Sequence, residues 1–324
     1  MLEKRVLEIA VIGAGRIAQQ HLAVLKDLPE AAVTTLVDTN PQVLEETAQR
    51  FGVPRRLESH QTLMEQGPPD AVFVLVSVLQ VAEVAADFLR AGIPTFLEKP
   101  PGLYTDQTRD LARLAEERHV PAMVGVNRRF YSTLLAGRER LLAEGPIRSV
   151  TVEAHEDLQR IRDGVKFPEE VQRRWSTANG IHALDLLRFF GGHVAEVTAS
   201  RETVEGPMPD CCTATLRFEG GAIGRALMDW FAPGSHRVEA RSVGATFTST
   251  MGHEAHIRYR EGHREQLEWD ELDRQYKPGF WRQDQTFLRW VLDGGALPFP
   301  ACSLEDAVGT MEMIDAIAGT RINT

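Results

Sequence analysis

The fold of this chain is decided by the stretch Leu7-Glu8-Ile9-Ala10-Val11-Ile12-Gly13-Ala14-Gly15-Arg16-Ile17-Ala18. An apolar run leads into a glycine turn and then into an amphipathic segment, which predicts the order strand, turn, helix. In such a turn Gly13 permits the sharp reversal, Gly15 lets backbone N–H groups approach a pyrophosphate, and the small Ala18 lets the helix pack closely on the strand. A glycine turn also serves simple chain reversal. The stretch therefore suggests a dinucleotide site that the rest of the chain must support.

Length and composition limit the class of protein. The chain has 324 residues, more than one hydrophobic core usually serves, so two domains are expected. Its formal net charge of -10 argues against nucleic acid or an anionic membrane as the main partner and favours a small molecule. The N-terminus does not resemble a signal peptide, and the longest apolar run, Ala71 to Leu79, is too short to span a bilayer. The three cysteines have no metal-binding spacing, so we predict no metal site and a cytoplasmic location.

Strands and helices alternate through the first part of the chain. The pattern predicts strands at 32–37, 71–76, 93–97 and 122–126, and helices at 16–28, 41–51, 62–66, 81–90 and 105–119. This alternation is typical of a doubly wound parallel sheet, in which ligands bind across the carboxyl ends of the strands. Residues 1–122 are therefore predicted to form a dinucleotide-binding Rossmann domain.

Strands dominate the second part of the chain. They are predicted at 147–154, 194–202, 212–218, 222–230 and 238–248, with a hairpin turn at Gly220-Gly221. Helices are predicted at 130–144, 181–190, 281–292 and 304–318. Residues 123–324 are therefore predicted to form an α+β domain with a large, mostly antiparallel open sheet.

An acidic residue ends the second predicted strand. Asp38 stands where a Rossmann unit bonds the ribose diol of a dinucleotide, and Thr39-Asn40 offers no arginine for a 2′-phosphate. The alternative is that Asp38 caps the helix beginning at Pro41, although Asn40 is better placed for that role. The order of these residues favours NAD, with NADP as the lesser alternative.

A scarce lysine follows a predicted strand. Only five of the 36 basic residues are lysines, and Lys99 stands in Glu98-Lys99-Pro100 at a strand's carboxyl end. Such a lysine could donate to, or take a proton from, a substrate hydroxyl or carbonyl. The alternative is a surface lysine paired with Glu98.

Other candidate site residues lie beyond the Rossmann strands. His182 stands on the otherwise apolar helix 181–190, and Asp185, three residues on, shares its face and could fix its tautomer. Arg128 could bind a substrate hydroxyl or carboxylate, and Trp175 could stack on a sugar face. The alternatives are a core histidine, a surface charge and a packed tryptophan.

Taken together, five segments resemble the glucose-fructose oxidoreductase, inositol dehydrogenase and rhizopine catabolism family of NAD(P)-dependent oxidoreductases. They are Gly13–Ala18, Asp38, Glu98–Pro100, Asn127–Arg129 and the run Gly180-Ile181-His182-Ala183-Leu184-Asp185. The resemblance covers essentially the whole chain. It implies a Rossmann domain followed by an α/β domain whose open sheet forms homodimers or homotetramers.

The resemblance also implies residue roles. Lys99 would hold the substrate hydroxyl near the nicotinamide, and His182 would accept its proton during hydride transfer. Beside these two roles, the candidate substrate contacts are Arg128, Trp175, Asn179 and Asp185, and the candidate cofactor contacts are Gly13, Gly15, Arg16, Ile17, Asp38, Ser77, Glu98 and Lys99.

Two departures from the family pattern bear on the reaction. Ala178 stands where the family often has an Asp four residues before the histidine, and Ala82 ends a stretch that usually reads Thr-Pro-Asn-x-x-His. The leading hypothesis is an NAD-dependent oxidoreductase acting on a secondary hydroxyl or ketone of a sugar, cyclitol or related polyol. The alternative is a sensor or regulatory protein of the same fold that binds a dinucleotide but has lost catalysis.

Overall fold

The structure is a computed structural model that describes residues 5–164, 167–206, 208–251 and 254–320, without the side chain of Arg162. The chain forms two compact units. The first contains the chain up to Phe130 together with Glu271–Ala307, and the second contains Tyr131–Asp270 and the chain from Val308 onward. We predicted one boundary, at residue 122, which assigned 271–307 to the second domain. In the structure this segment belongs to the first unit.

Fifteen strands are found in the described residues. They are β1 (Leu7–Ile12), β2 (Ala31–Val37), β3 (Arg55–Leu57), β4 (Ala71–Val74), β5 (Thr95–Glu98), β6 (Ala122–Gly125), β7 (Ser149–His155), β8 (Val194–Glu202), β9 (Cys211–Phe218), β10 (Ile223–Asp229), β11 (His236–Arg241), β12 (Ala245–Thr250), β13 (Glu254–Tyr259), β14 (Arg264–Gln266) and β15 (Cys302–Ser303).

Thirteen α-helices accompany these strands within the same described residues. They are α1 (Arg16–Leu25), α2 (Pro41–Phe51), α3 (His60–Gln66), α4 (Val81–Arg90), α5 (Thr105–Arg118), α6 (Ser132–Ala143), α7 (Leu158–Gly164), α8 (Glu169–Arg173), α9 (Trp175–Ala178), α10 (Ile181–Gly191), α11 (Glu271–Gln275), α12 (Phe280–Asp293) and α13 (Leu304–Ala318). A short 3-10 helix covers Asn127–Phe130.

The first unit is built on a seven-stranded sheet in the order β15-β6-β5-β4-β1-β2-β3. Six strands are parallel, and β15 pairs antiparallel with β6 at the edge. The strand order reverses between β1 and β4, and a doubly wound sheet binds its ligands at such a point. The fold class predicted for this part of the chain is confirmed.

Helix α12 explains why a late segment belongs to the first unit. Its apolar residues Phe280, Phe287 and Leu288 are fully buried, and they pack in the same core cluster as Phe73 of β4 and Phe96 of β5. Burying three large side chains at about 25 cal/mol per Å² supplies several kcal/mol of stabilisation. The helical pattern predicted α12 well, but it could not indicate which core the helix joins.

The second unit contains an eight-stranded sheet in the order β14-β13-β12-β11-β7-β10-β9-β8. Only β7 and β10 pair in parallel among these strands, so the prediction of a mostly antiparallel sheet is confirmed. Gly221 has φ +85° in the hairpin between β9 and β10, as its turn was predicted to require. The single strand predicted at 238–248 is wrong, because the Ala245 carbonyl accepts from the Ser242 N–H and the chain reverses there into a hairpin of β11 and β12.

One face of the second sheet is apolar and the other is polar. Along β7 the inward residues Val150, Val152 and Ala154 are fully buried, whereas Thr151 and Glu153 between them are half-buried.

Within the described residues, no helix is long and apolar enough to cross a membrane. The same residues contain no cluster of three or more His, Cys, Asp or Glu side chains that could hold a metal ion.

Candidate functional site

The turn between β1 and α1 has the geometry that its glycines were predicted to provide. Gly13 has φ +101°, and its N–H donates to the Val37 carbonyl at 2.7 Å. A Cβ atom on Gly13 would lie only 2.6 Å from the carbonyl oxygen of Leu75. By contrast, a Cβ on Gly15 would meet no atom within 4 Å, so the backbone there is open to a ligand. Gly13 is thus required by the backbone conformation and the close packing of the turn, and Gly15 leaves space for a ligand.

Asp38 is held rigidly at the end of β2. Its Oδ2 atom accepts the N–H of Ala14 at 2.7 Å, and its Oδ1 atom accepts the N–H of Asn40 at 2.8 Å. Helix α2 is capped instead by Asn40, whose side chain accepts from the N–H groups of Gln42 and Val43. The capping alternative for Asp38 is therefore wrong, because Asn40 occupies the capping position.

A groove of about 410 Å³ lies beside this turn in the first unit. Four of the predicted cofactor residues line it, namely Gly13, Gly15, Asp38 and Ser77, and the Ser77 hydroxyl donates to the Gln80 side chain at 3.0 Å. The segment Glu58–Gln61 also lines the groove, although the sequence analysis did not single it out. The strand that precedes it, β3, was not predicted, so the sequence carried no signal for this segment.

Arg16 and Ile17 occupy the first turn of α1 but do not line the groove. Arg16 is exposed and Ile17 is half-buried against the core of the first unit. Both are therefore adjacent to the glycine turn, and Ile17 contributes mainly to packing.

The Glu98-Lys99 dipeptide lies at the carboxyl end of β5. The Oε2 atom of Glu98 accepts the backbone N–H of Lys99 at 3.1 Å. The Oε1 atom lies 3.3 Å from Nε2 of His21, whose Nδ1 is 2.8 Å from Oδ2 of Asp284. His21 and Asp284 are fully buried. In the sequence, His21 falls within the predicted helix 16–28, and no signal indicated Asp284 because nothing local connects the two residues.

Two arginines of the 3-10 helix after β6 differ in their burial. Arg129 is buried and pairs with Asp306 at 2.5 Å, so it ties the beginning of α13 to the sheet. Arg128 is half-buried, and beside it the Asn127 amide donates to the Pro278 carbonyl at 3.0 Å. Of the two, Arg128 is the one that retains partial access to solvent.

In the second unit, two of the predicted substrate residues converge on Glu156, directly after β7. The Nε1 atom of Trp175 donates to Glu156 at 2.6 Å, and the Nδ2 atom of Asn179 donates at 2.7 Å. Nε2 of His236 lies 2.9 Å from the same carboxylate. Burial alone would raise the pKa of Glu156, but the contacts with His236, Asn179 and Trp175 lower it below its usual value. Glu156 was not predicted as a site residue, although a carboxylate after the predicted strand 147–154 was a signal.

Helix α10 places His182 differently from its neighbours. Among residues 181–190, all of which the structure describes, His182 alone is half-buried while the others are buried. A Cβ on Gly180 would lie 2.6 Å from the carbonyl oxygen of Ser176, so only glycine allows α10 to start this close to α9. His182 is therefore less buried than the other residues of 181–190, and its role as a site residue rather than a core histidine stays a prediction.

Asp185 lies one turn further along α10 and is buried. Its Oδ1 atom accepts the hydroxyl of Thr310 at 2.9 Å, and that hydroxyl oxygen accepts from Nη1 of Arg188 at 2.9 Å. This arrangement ties α10 to α13. Asp185 thus has a clear packing role beside the histidine.

The sheet order and the groove define a Rossmann-fold, dinucleotide-binding class of protein. A family model described as the oxidoreductase family with an NAD-binding Rossmann fold matches residues 7–126, and a model of the GFO/IDH/MocA C-terminal domain matches residues 143–248. The chain belongs to the GFO/IDH/MocA oxidoreductase family.

Several known proteins are similar to this chain. The D-apiose dehydrogenase of Rhizobium rhizogenes is 26% identical over 67% of this chain and 64% of its own length. The myo-inositol dehydrogenase Hyg17 of Streptomyces leeuwenhoekii is 26% identical over 74% of each chain. A levoglucosan dehydrogenase solved in complex with NADH shares the fold, with a TM-score of 0.84, 16% identity and coverage of 98% of this chain and 97% of that one. The match spans 64% and 57% of the first two curated relatives, both D-apiose dehydrogenases.

Proposed function

We propose that this protein is an NAD-dependent oxidoreductase acting on a secondary hydroxyl or ketone of a sugar, cyclitol or related polyol. The observation that carries the proposal is the groove at the carboxyl ends of β1, β2 and β4, with Asp38 fixed at one end. Membership of the oxidoreductase family supports the reaction class. The substrate class is supported by relatives named as apiose and inositol dehydrogenases.

The groove residues fit NAD. The open space at Gly15 suits a pyrophosphate beside the N-terminus of α1, and the fixed Asp38 carboxylate suits a ribose diol. When bound, NAD would supply the hydride acceptor. The chain's own residues would bind and orient the substrate and move its proton.

Two side chains are proposed to act on the substrate oxygen. The Lys99 ammonium would donate a hydrogen bond from Nζ to that oxygen and thereby stabilise developing negative charge. The half-buried imidazole of His182 would take the hydroxyl proton during oxidation and return it during reduction. Its partial exposure among the buried residues of 181–190 supports this role.

The remaining predicted substrate residues are proposed to shape the site. Trp175 and Asn179 both donate to Glu156, which supports a fixed wall rather than a mobile contact. The bond between Asp185 and Thr310 supports a role in holding the helix that carries His182. The half-buried Arg128 is proposed to bind a substrate oxygen.

Domain roles, assembly and location are also proposals. The first unit would bind NAD, and the second would bind substrate and form the subunit interface of a homodimer or homotetramer. The outer face of the second sheet supports this assembly, because Ile223 and Leu227 stand exposed on β10 beside a row of threonines. A cytoplasmic location is supported by the cysteines, all described, which are not joined in disulfides.

Turnover on a defined panel tests the proposed function. We expect NADH absorbance at 340 nm to rise when the protein is mixed with NAD and at least one of myo-inositol, D-apiose, levoglucosan and related polyols. His182→Ala, measured in parallel, is expected to lower the rate at least about 100-fold because the proton acceptor is lost. NAD binding by the wild type without turnover on a broad panel would contradict the proposal and favour a non-catalytic role.

Cofactor choice is a separate prediction. NAD is expected to bind at least about 10-fold more tightly than NADP, a difference of about 1.4 kcal/mol, because the Asp38 carboxylate would repel a 2′-phosphate. Isothermal titration with each dinucleotide measures the two dissociation constants. A tighter constant for NADP would refute the role proposed for Asp38.

A further inference from the structure

Three ionisable side chains far apart in sequence meet inside the first unit. We call them the His21 cluster: His21 on α1, Glu98 at the end of β5 and Asp284 on α12. His21 and Asp284 are 0% exposed and Glu98 is 9% exposed. The imidazole lies between the two carboxylates, 2.8 Å from Oδ2 of Asp284 and 3.3 Å from Oε1 of Glu98. Each ring nitrogen therefore faces a carboxylate oxygen.

Aromatic rings pack around the imidazole, and two further side chains approach its partners. The rings of Phe73, Phe96 and Phe280 pack around it with centroids 5.6, 5.2 and 4.6 Å away. The Gln283 side chain approaches Asp284 and favours its ionised form, and the Lys277 ammonium, which interacts with Glu98, lies 4.5 Å from the centroid of the Phe280 ring.

Burial by itself lowers the pKa of His21, but the two carboxylates outweigh burial and raise it to about 9. Burial also raises the pKa of Asp284, and the contact with His21 opposes that rise. While both carboxylates are ionised, the doubly protonated ring satisfies both hydrogen bonds, whereas either neutral tautomer satisfies only one.

Glu98 connects this buried ring to the backbone N–H of Lys99. One carboxylate oxygen faces His21, and the other accepts the Lys99 N–H at 3.1 Å. Both oxygens are thus engaged, so the carboxylate has little freedom to rotate. The peptide that carries Lys99 is oriented by a chain of contacts beginning at Asp284.

We propose that Asp284 and Glu98 hold His21 as a buried imidazolium, and that His21 and Asp284 are positioning residues that set the orientation of Lys99. Only the expected effect on catalysis rests on the proposed function. The structural content of the proposal concerns the charge of His21 and its coupling to the Lys99 peptide.

The 324-residue chain without substitutions provides the first test. Labelling histidine with ¹⁵N is expected to show both His21 ring nitrogens protonated at pH 7.5, with deprotonation near pH 9. Lysine labelled with ¹³C at the carbonyl and ¹⁵N at the amide gives a simple spectrum because the chain has five lysines, and Lys99→Arg assigns one of them. The Lys99 carbonyl signal is expected to shift with the same midpoint as His21. A neutral His21 ring at pH 7.5, or a Lys99 signal that does not follow its titration, would overturn the proposal.

Variants separate positioning from simple packing. Asp284→Asn keeps the size of the side chain but removes its charge, so the His21 midpoint is expected to fall by more than 1 pH unit and the Lys99 amide signal to move. The matched control is Glu30→Gln, which breaks a different contact of α12, the 3.1 Å pair with Arg289. The control is expected to leave both signals unchanged. If Asp284→Asn changed only the melting temperature, His21 and Asp284 would be structural ties and the proposal would fail.

Kinetics supply an independent measurement. On a polyol that the wild type oxidises, Asp284→Asn is expected to lower kcat at least about 10-fold while the dissociation constant for NAD changes less than about 3-fold, because a displaced catalytic group slows chemistry more than binding. If the wild type oxidises no polyol, the proposed function fails while the NMR measurements still decide the His21 proposal. Retention of full kcat together with a displaced Lys99 signal would remove the positioning role.

Discussion

Replacing Lys99 with methionine is expected to lower kcat about 1000-fold on any polyol that the wild type oxidises. Methionine keeps an unbranched side chain as far as Cε but removes the ammonium that would stabilise charge on the substrate oxygen. Because the backbone N–H of Lys99 still donates to Glu98, the local fold should persist. Steady-state rates of NADH formation and NAD titrations measure the two effects separately.

The control for this variant is Lys26→Met. Lys26 is exposed at the end of α1 and is another of the five lysines, so the same chemical change is made away from the groove. It is expected to leave kcat and the NAD dissociation constant within about 2-fold of wild type. Equal kcat values for Lys99→Met and wild type would remove Lys99 from the mechanism.

Replacing Gly13 with alanine is expected to destabilise the first unit by about 3 kcal/mol and to abolish measurable NAD binding. The left-handed backbone at φ +101° costs a residue with a Cβ about 1–3 kcal/mol. The new methyl carbon would also lie 2.6 Å from the Leu75 carbonyl oxygen, so β4 must shift. A fall of about 10 °C in the melting temperature of the ligand-free protein checks this expectation.

Gly15→Ala is the matched control, because it adds the same methyl group two residues away. No atom lies within 4 Å of its Cβ, and its φ of -69° suits any residue. The melting temperature should therefore change by less than about 2 °C, while NAD binding weakens at least about 10-fold because the methyl group occupies the open space. Equal losses of stability for both variants would contradict the division of roles between the two glycines.

Local patterns in the sequence predicted much of the part of the candidate site that lies in the first unit. Gly13 required a positive φ, Asn40 had a better capping position than Asp38, and Lys99 followed an apolar strand. Each of these features depends on neighbouring residues, so periodicity and turn chemistry indicate it directly. The hairpin at Ser242 was missed although two local signals were present. Gly244 lies in the turn, and the apolar alternation changes phase between Ala240 and Ala245.

Contacts between distant segments were not accessible in the same way. Trp175 and Asn179 were singled out as substrate contacts, but only the fold shows that both donate to Glu156 at the end of β7. Similarly, Asp185 was expected to fix the tautomer of His182, and only the fold shows that it also accepts a hydrogen bond from Thr310, 125 residues later. Side-chain partners of this kind depend on how helices and sheets pack.

The sequence by itself determined the Rossmann order, the glycine turn, the acidic residue after the second strand and the candidate lysine and histidine. Short-range geometry fixes these features, since strand, turn and helix signals extend over only a few residues. Tertiary structure alone decided that α12 returns to the first unit and brings Asp284 to His21 across 263 residues of sequence. The physical reason is that α12 buries Phe280, Phe287 and Leu288 in that core, and the hydrophobic effect that drives this burial does not depend on sequence separation.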